Sequence, residues 1–214
     1  MLRTVIFDLD GTLLNTLGDL AESVNYALRV HGLPERTYSE VRSYLGNGIR
    51  RLMLQAAGPM VDESHFESVF QTFKAYYVEH CLDTTQPYEG IMPMLKVLHR
   101  MQISLAIVSN KLHPAVVELN ERFFKDYVQL AIGESAEVRR KPNPDGVLAA
   151  LKALGSKPDE ALYVGDSEVD LATAQAAGLP CALVLWGFRD EEFLRTLPGA
   201  DIFLREPADL LNLL

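Results

Sequence analysis

A chain of 214 residues with 48% hydrophobic side chains is long enough to bury a substantial core, with or without an inserted unit, which excludes disorder as its main state. A net charge of −9 argues against a nucleic-acid binder, which needs a concentrated basic surface, and no apolar run approaches the roughly 18–20 residues of a membrane-spanning helix. Arg3 is followed at once by "TVIFDLDG" rather than by an apolar leader, and Cys81 and Cys181 have no paired spacing, so free thiols in a reducing cytoplasm are expected, with no membrane partner.

"TVIFDLD" opens the chain as an apolar run ending in Asp8 and Asp10. By itself the following Asp-Gly suits an ordinary surface turn. Residues 16–85 carry no convincing strand. Instead "DLAESVNYALRVHG", "YSEVRSYLG", "GIRRLMLQAAG" and "DESHFESVFQTFKAYYVEHCL" place apolar residues at three-to-four spacing, which predicts four helices. That is far more chain than one crossover needs, so an all-helical insertion is expected, with its Tyr, Phe and Met residues forming the core of the bundle. "TTQPYEG" marks the return, with Pro87 and Gly90 expected to interrupt both helix and strand. Beyond it "ISLAIVSN", "VQLAIG", "ALYVGD", "CALVLW" and "ADIFL" read as strands, and "HPAVVELNERFF", "NPDGVLAALKALG" and "SEVDLATAQAAG" as helices between them.

Strands apolar throughout and alternating with helices indicate an α/β fold, a Rossmann-like parallel sheet with helices on both faces. The expected division is 1–15 and 86–214 for this core, and 16–85 for the helical insertion. Ligands of such sheets sit at the carboxyl ends of the strands. That rim gathers Asp8, Asp10, Ser109, Asn110, Gly165 and Asp166.

Carboxylates converging on one rim repel unless a cation lies between them, and hard oxygen donors suit Mg²⁺. A carboxylate held by a metal and a lysine can attack phosphorus and split one displacement into two. Asp10 has the right type and proximity for general acid/base work, and Thr12 is read as a hydrogen-bonding orienter. The "RRKP" cluster offers several cations, among which the residues alone do not choose. His31, His65, His80 and His99 lack metal-ligand spacing, and only His113 lies near the rim.

"DLDGT" after a strand, Ser109 ending the next core strand, Lys141 before a proline and "GDSEVD" together resemble, in order, the four motifs of the haloacid dehalogenase-like (HAD) hydrolase superfamily. The resemblance implies Asp8 as nucleophile, Asp10 as acid/base, Ser109 as phosphate ligand and Lys141 as charge stabiliser. It implies Mg²⁺ on Asp8, Asp10 and Asp166, with Asp170 either a ligand or a brace. The insertion looks like the helical cap of one subgroup. "YLGNGIRRLM", "SNK" and the ending "ADIFLREPADLLNLL" are most similar to phosphoglycolate phosphatases. Asn15 and Glu89 depart from common usage in that group, where aspartate and proline are frequent.

The resulting expectation is a Mg²⁺-dependent phosphomonoester phosphatase acting on a small phosphorylated metabolite, with Thr12, Asn110 and the loop Gly46, Asn47 and Gly48 meeting the substrate. Arg50 and Arg51 flank that loop. Another phosphate ester, a phosphomutase and a receiver-like phosphoacceptor domain stay open as alternatives. A monomer or a homodimer is expected.

Overall fold

The computed structural model describes residues 2–46, 48–59 and 61–214. In chain order they form strands β1 (Thr4–Phe7) and β2 (Leu14–Asn15), then helices α1 (Leu17–Val30), α2 (Tyr38–Tyr44), α3 (Ile49–Ala57) and α4 (Glu63–His80). There follow β3 (Gln86–Pro87), α5 (Ile91–Arg100), β4 (Ser104–Leu112), α6 (His113–Phe123), β5 (Leu130–Glu134) and α7 (Asp145–Leu154). The chain ends with β6 (Ala161–Gly165), α8 (Glu168–Ala177), β7 (Cys181–Val184), α9 (Glu191–Leu194) and β8 (Ile202–Leu204). Two compact units result, Met1–Leu14 with Pro87–Leu214, and Asn15–Gln86.

In the first unit six parallel strands lie in the order β5-β4-β1-β6-β7-β8. Every residue of β1, β6 and β7 is buried, as a sheet covered on both faces demands, so these strands are apolar throughout rather than alternating. The register is what builds the site. Phe7 pairs with Ile107 on one side and with Val164 on the other, and the Asp8 N–H donates to Val164 O at 2.8 Å. β1 and β6 therefore end almost level, with β4 running on beside β1 past Ile107, at the point where the chain order changes direction across the sheet.

Two local expectations are corrected. β4 does not stop at Asn110 but continues to Leu112, which pairs with Glu134 after a register shift, so Ser109, Asn110 and Lys111 stand within the strand. The return segment is not simply a break either. Gln86 and Pro87 form β3, which pairs with β2 as a separate two-stranded sheet, and Gly90 precedes α5, the helix that carries His99.

The second unit is helical. Phe66, Val69, Phe70 and Phe73 of α4 are buried, together with Leu52 and Met53 of α3 and Leu20, Val24 and Leu28 of α1. Their three-to-four spacing is the apolar stripe that drives the helices together. Tyr26 and Tyr76 stack across α1 and α4 with centroids 3.9 Å apart. Asp19, in the first turn of α1 and only 4% exposed, accepts hydrogen bonds from Thr84 N at 2.9 Å, Thr84 Oγ1 at 2.5 Å and Thr85 N at 2.9 Å. It ties the end of this unit back to its beginning. Cys81 and Cys181 form no disulfide, and no described helix is long and apolar enough to cross a membrane.

Candidate active site

Three buried carboxylates, Asp8, Asp166 and Asp170, offer oxygens within 4.8 Å of one another at the carboxyl ends of β1 and β6. Lys141, itself buried, reaches between two of them. Its Nζ is 2.8 Å from Asp8 Oδ1 and 2.7 Å from Asp170 Oδ1. Although Asp8 Oδ1 is that close to the ammonium, it makes no directed hydrogen bond, so the contact is an ion pair that leaves acceptor capacity unused.

The lysine is aimed by groups on three elements. The Asn110 side chain accepts from Lys141 N at 2.6 Å and donates to Lys141 O at 3.2 Å, clamping its backbone. The Tyr163 hydroxyl accepts from Nζ at 3.1 Å and lies 3.2 Å from both Val108 O and Asp170 Oδ1, one of which takes its proton. Asp170 is surrounded by donors on both oxygens. Beyond Lys141 and Tyr163 on Oδ1, its Oδ2 accepts from Asp166 N and Ser167 N, each at 3.1 Å, and from Ser167 Oγ at 2.6 Å. Of the two roles expected for Asp170, this geometry is that of a brace rather than of a metal ligand.

Burial is the largest influence on these groups. It pushes the Asp8 carboxyl from 3.8 up to about 7, against the opposing pull of Lys141 and with the help of the Asp170 charge. Burial likewise holds Asp166 well above the carboxylate range, reinforced by the charges of Asp170 and Asp8. For Lys141 burial acts to lower the pKa, but Asp170 and Asp8 outweigh it and hold the ammonium well above its ordinary value. Ionising all three clustered carboxylates around one ammonium would leave negative charge uncompensated, which is why Asp8 and Asp166 are held protonated until a cation joins them. With Asp170 taken up by its own donors, a hard divalent cation of the Mg²⁺ kind fits the Asp8 and Asp166 carboxylates and the unused acceptor of Asp8.

Asp166 is fixed by a loop after β7. Its Oδ2 accepts from Phe188 N at 2.7 Å. A Cβ added to Gly187 would run into Asp166 Cβ and the Gly11 carbonyl, and one added to Gly11, whose φ is +86°, would strike Asp166 Oδ2. Only glycine permits both approaches. Trp186 Nε1 donates to Thr12 O at 3.0 Å, and Arg189 forms two hydrogen bonds with Glu168 at 2.8 and 3.0 Å. Residues 186–189 thus fasten the β1 turn to the start of α8.

Asp10 sits apart from the Lys141 cluster's ion pairs and makes its own. Lys111 Nζ approaches its two oxygens at 3.1 and 3.4 Å. Ser109 is buried at the same end of the sheet, and its Oγ accepts from Lys111 N at 3.3 Å. Thr12 is fully buried, and its hydroxyl has no hydrogen-bond partner among the described residues. His113 is exposed, and its Nδ1 accepts from Gly133 N at 3.2 Å. Gly46 and Gly48 belong to the helical unit, where Gly48 precedes α3, and Asn47 lies outside the described residues. In the same unit Arg50 is ion-paired with Glu67 and lies over the Phe66 and Phe70 rings.

The sequence reading did not select Lys111, Tyr163, Trp186, Gly187, Phe188 or Arg189. Lys111 had a signal available, since it follows Ser109 and Asn110 at the same strand end. The others act from positions that only the folded sheet brings near.

Residues 5–184 match the family described as haloacid dehalogenase-like hydrolase. The phosphoglycolate phosphatase of Aquifex aeolicus is 33% identical over 218 residues, covering 100% of this chain and 97% of its own. The N-acetylmuramic acid 6-phosphate phosphatase of Pseudomonas aeruginosa is 29% identical over 214 residues, covering 100% of this chain and 95% of its own. A crystal structure of a proposed phosphoglycolate phosphatase from Lactobacillus delbrueckii superposes with a TM-score of 0.92 at 32% identity, covering 97% of this chain and 96% of that one.

Proposed function

The chain belongs to the haloacid dehalogenase-like hydrolase family and is a phosphatase, and on that premise we propose a Mg²⁺-dependent phosphomonoesterase working through an aspartyl-phosphate on Asp8, with 2-phosphoglycolate as its substrate. Mg²⁺ would be held by the side chains of Asp8 and Asp166 and by the Asp10 carbonyl, supplying positive charge to phosphoryl oxygens. The site is proposed without Asp170 as a ligand, because its oxygens are already engaged by Lys141, Tyr163, Ser167 and the backbone.

In the first step an Asp8 oxygen bonds to phosphorus as the ester P–O bond breaks, and the departing oxygen takes a proton from Asp10. In the second step water attacks phosphorus and gives a proton to Asp10. The P–O bond to Asp8 breaks, inorganic phosphate leaves and the Asp8 carboxylate is restored. Lys141 stays beside Asp8 throughout, balancing its charge and reaching phosphoryl oxygens. Ser109 supplies a neutral hydrogen bond. Asn110 is assigned to the Lys141 backbone instead of to substrate.

The observation that carries the reading is the buried ammonium of Lys141 poised 2.8 Å from Asp8 and braced by Asp170. Residues 16–85 are proposed as the cap that selects the leaving group through the loop 46–48. Cytoplasmic residence, as a monomer or homodimer, completes the proposal.

The Pseudomonas relative makes a sugar 6-phosphate the second reading. Phosphate release from 2-phosphoglycolate, N-acetylmuramic acid 6-phosphate, pyrophosphate and hexose phosphates, with Mg²⁺ or with chelator, tests both. Turnover of 2-phosphoglycolate above the others, lost in chelator and in Asp8→Asn, is expected. Turnover surviving in Asp8→Asn refutes the nucleophile.

A further inference from the structure

Lys141 is committed to Asp8 and Asp170, and Arg189 to Glu168. Lys111 differs from both, because its partner Asp10 is the group assigned to the leaving oxygen. Its side chain is only 12% exposed, and its Nζ stands 3.1 and 3.4 Å from the two Asp10 oxygens. The backbone that aims it is held in place. Lys111 N donates to Ser109 Oγ at 3.3 Å, the neighbouring Asn110 is clamped to Lys141, and β5 pairs on again at Leu112.

We infer that Lys111 is a specificity-determining residue that selects phosphate esters whose leaving group carries an anion within about two carbons of the ester oxygen. The inference rests on the proposed role of Asp10. An oxygen exchanging a proton with Asp10 lies about 2.8 Å from it, and so within roughly 6 Å of an ammonium 3.1 Å further on. A carboxylate one methylene away from that oxygen reaches Nζ directly when the leaving group extends towards Lys111. A neutral group in the same place offers the ammonium only an uncharged acceptor, a weaker partner than a carboxylate. A partly buried cation is effective here because it is little screened by salt, unlike an exposed one.

The test compares 2-phosphoglycolate with 2-hydroxyethyl phosphate, which keeps the chain length and replaces the carboxylate by an alcohol, on wild type, Lys111→Met and Lys111→Arg. In Lys111→Met the ratio of kcat/KM for the acid over the alcohol falls at least tenfold, chiefly through KM for the acid, and Lys111→Arg recovers part of it. Equal loss on both substrates overturns the inference and makes Lys111 only an orienter of Asp10. A wild-type ratio near one also overturns it while leaving the phosphatase reading intact. Failure of wild type to hydrolyse either ester overturns both. Should Lys111→Met not fold, inhibition of wild type by glycolate against ethylene glycol reads the same preference, and equally weak inhibition by both refutes it.

Discussion

Replacing the proposed nucleophile should make the metal-free protein more stable as it destroys activity. Asp8 is buried, and its carboxyl is pushed from 3.8 up to about 7. Between those values the unfolded chain has released a proton that the folded chain still holds, so stability falls as pH rises through that window. The full cost is about 3 pH units at about 1.4 kcal/mol each, or about 4 kcal/mol above pH 7, and near pH 5 it is less than half of that. Asn carries no such cost, so in chelator Asp8→Asn should melt above wild type by about 8–16 °C at pH 8, for a chain of this size. The gap should shrink to a few degrees at pH 5. Mg²⁺ should then raise the wild-type melting temperature at pH 8 and close most of the gap, because binding to the folded state alone adds stability by mass action. Thermal melts of both proteins at the two pH values, with and without Mg²⁺, measure this. A variant melting at or below wild type in chelator at pH 8, or a gap indifferent to pH, would refute the electrostatic account of the cluster.

Asp10→Asn should slow turnover of an alkyl phosphate by about 10²-fold or more, yet cost much less with an aryl phosphate whose leaving group needs no proton; steady-state rates on the two esters decide it. Arg189→Gln releases one end of the loop that holds Asp166, and Mg²⁺ affinity measured calorimetrically without substrate should weaken about tenfold, the usual size for a group behind a metal ligand. An unchanged affinity would reduce the Arg189–Glu168 pair to a structural contact. Asp19→Ala removes the acceptor of three hydrogen bonds from Thr84 and Thr85 and should destabilise the helical unit by about 2–4 kcal/mol, read as earlier loss of amide-exchange protection in α1 than in β1.

The sequence by itself determined the class of the fold and the chemistry at the strand ends. Apolar runs such as "TVIF", "ALYVG" and "CALV" have to be buried on both faces, and that property is local to each run. Since such sheets present their loops on one rim, Asp8, Ser109 and Asp166 were legible as neighbours without any coordinates, and the ordered motifs then singled out Lys141. What each polar group does with its second bond was decided only by the tertiary structure. Asp10 meets Lys111 across 101 residues of chain, and Thr12 meets Trp186 across 174. Asn110 turns to the Lys141 backbone, and Asp170 is taken up by Tyr163, Ser167 and Lys141. Hydrophobic periodicity records which face of an element is buried. The partner of a hydrogen bond is recorded nowhere in it, because that choice depends on the register of strands far apart in the chain.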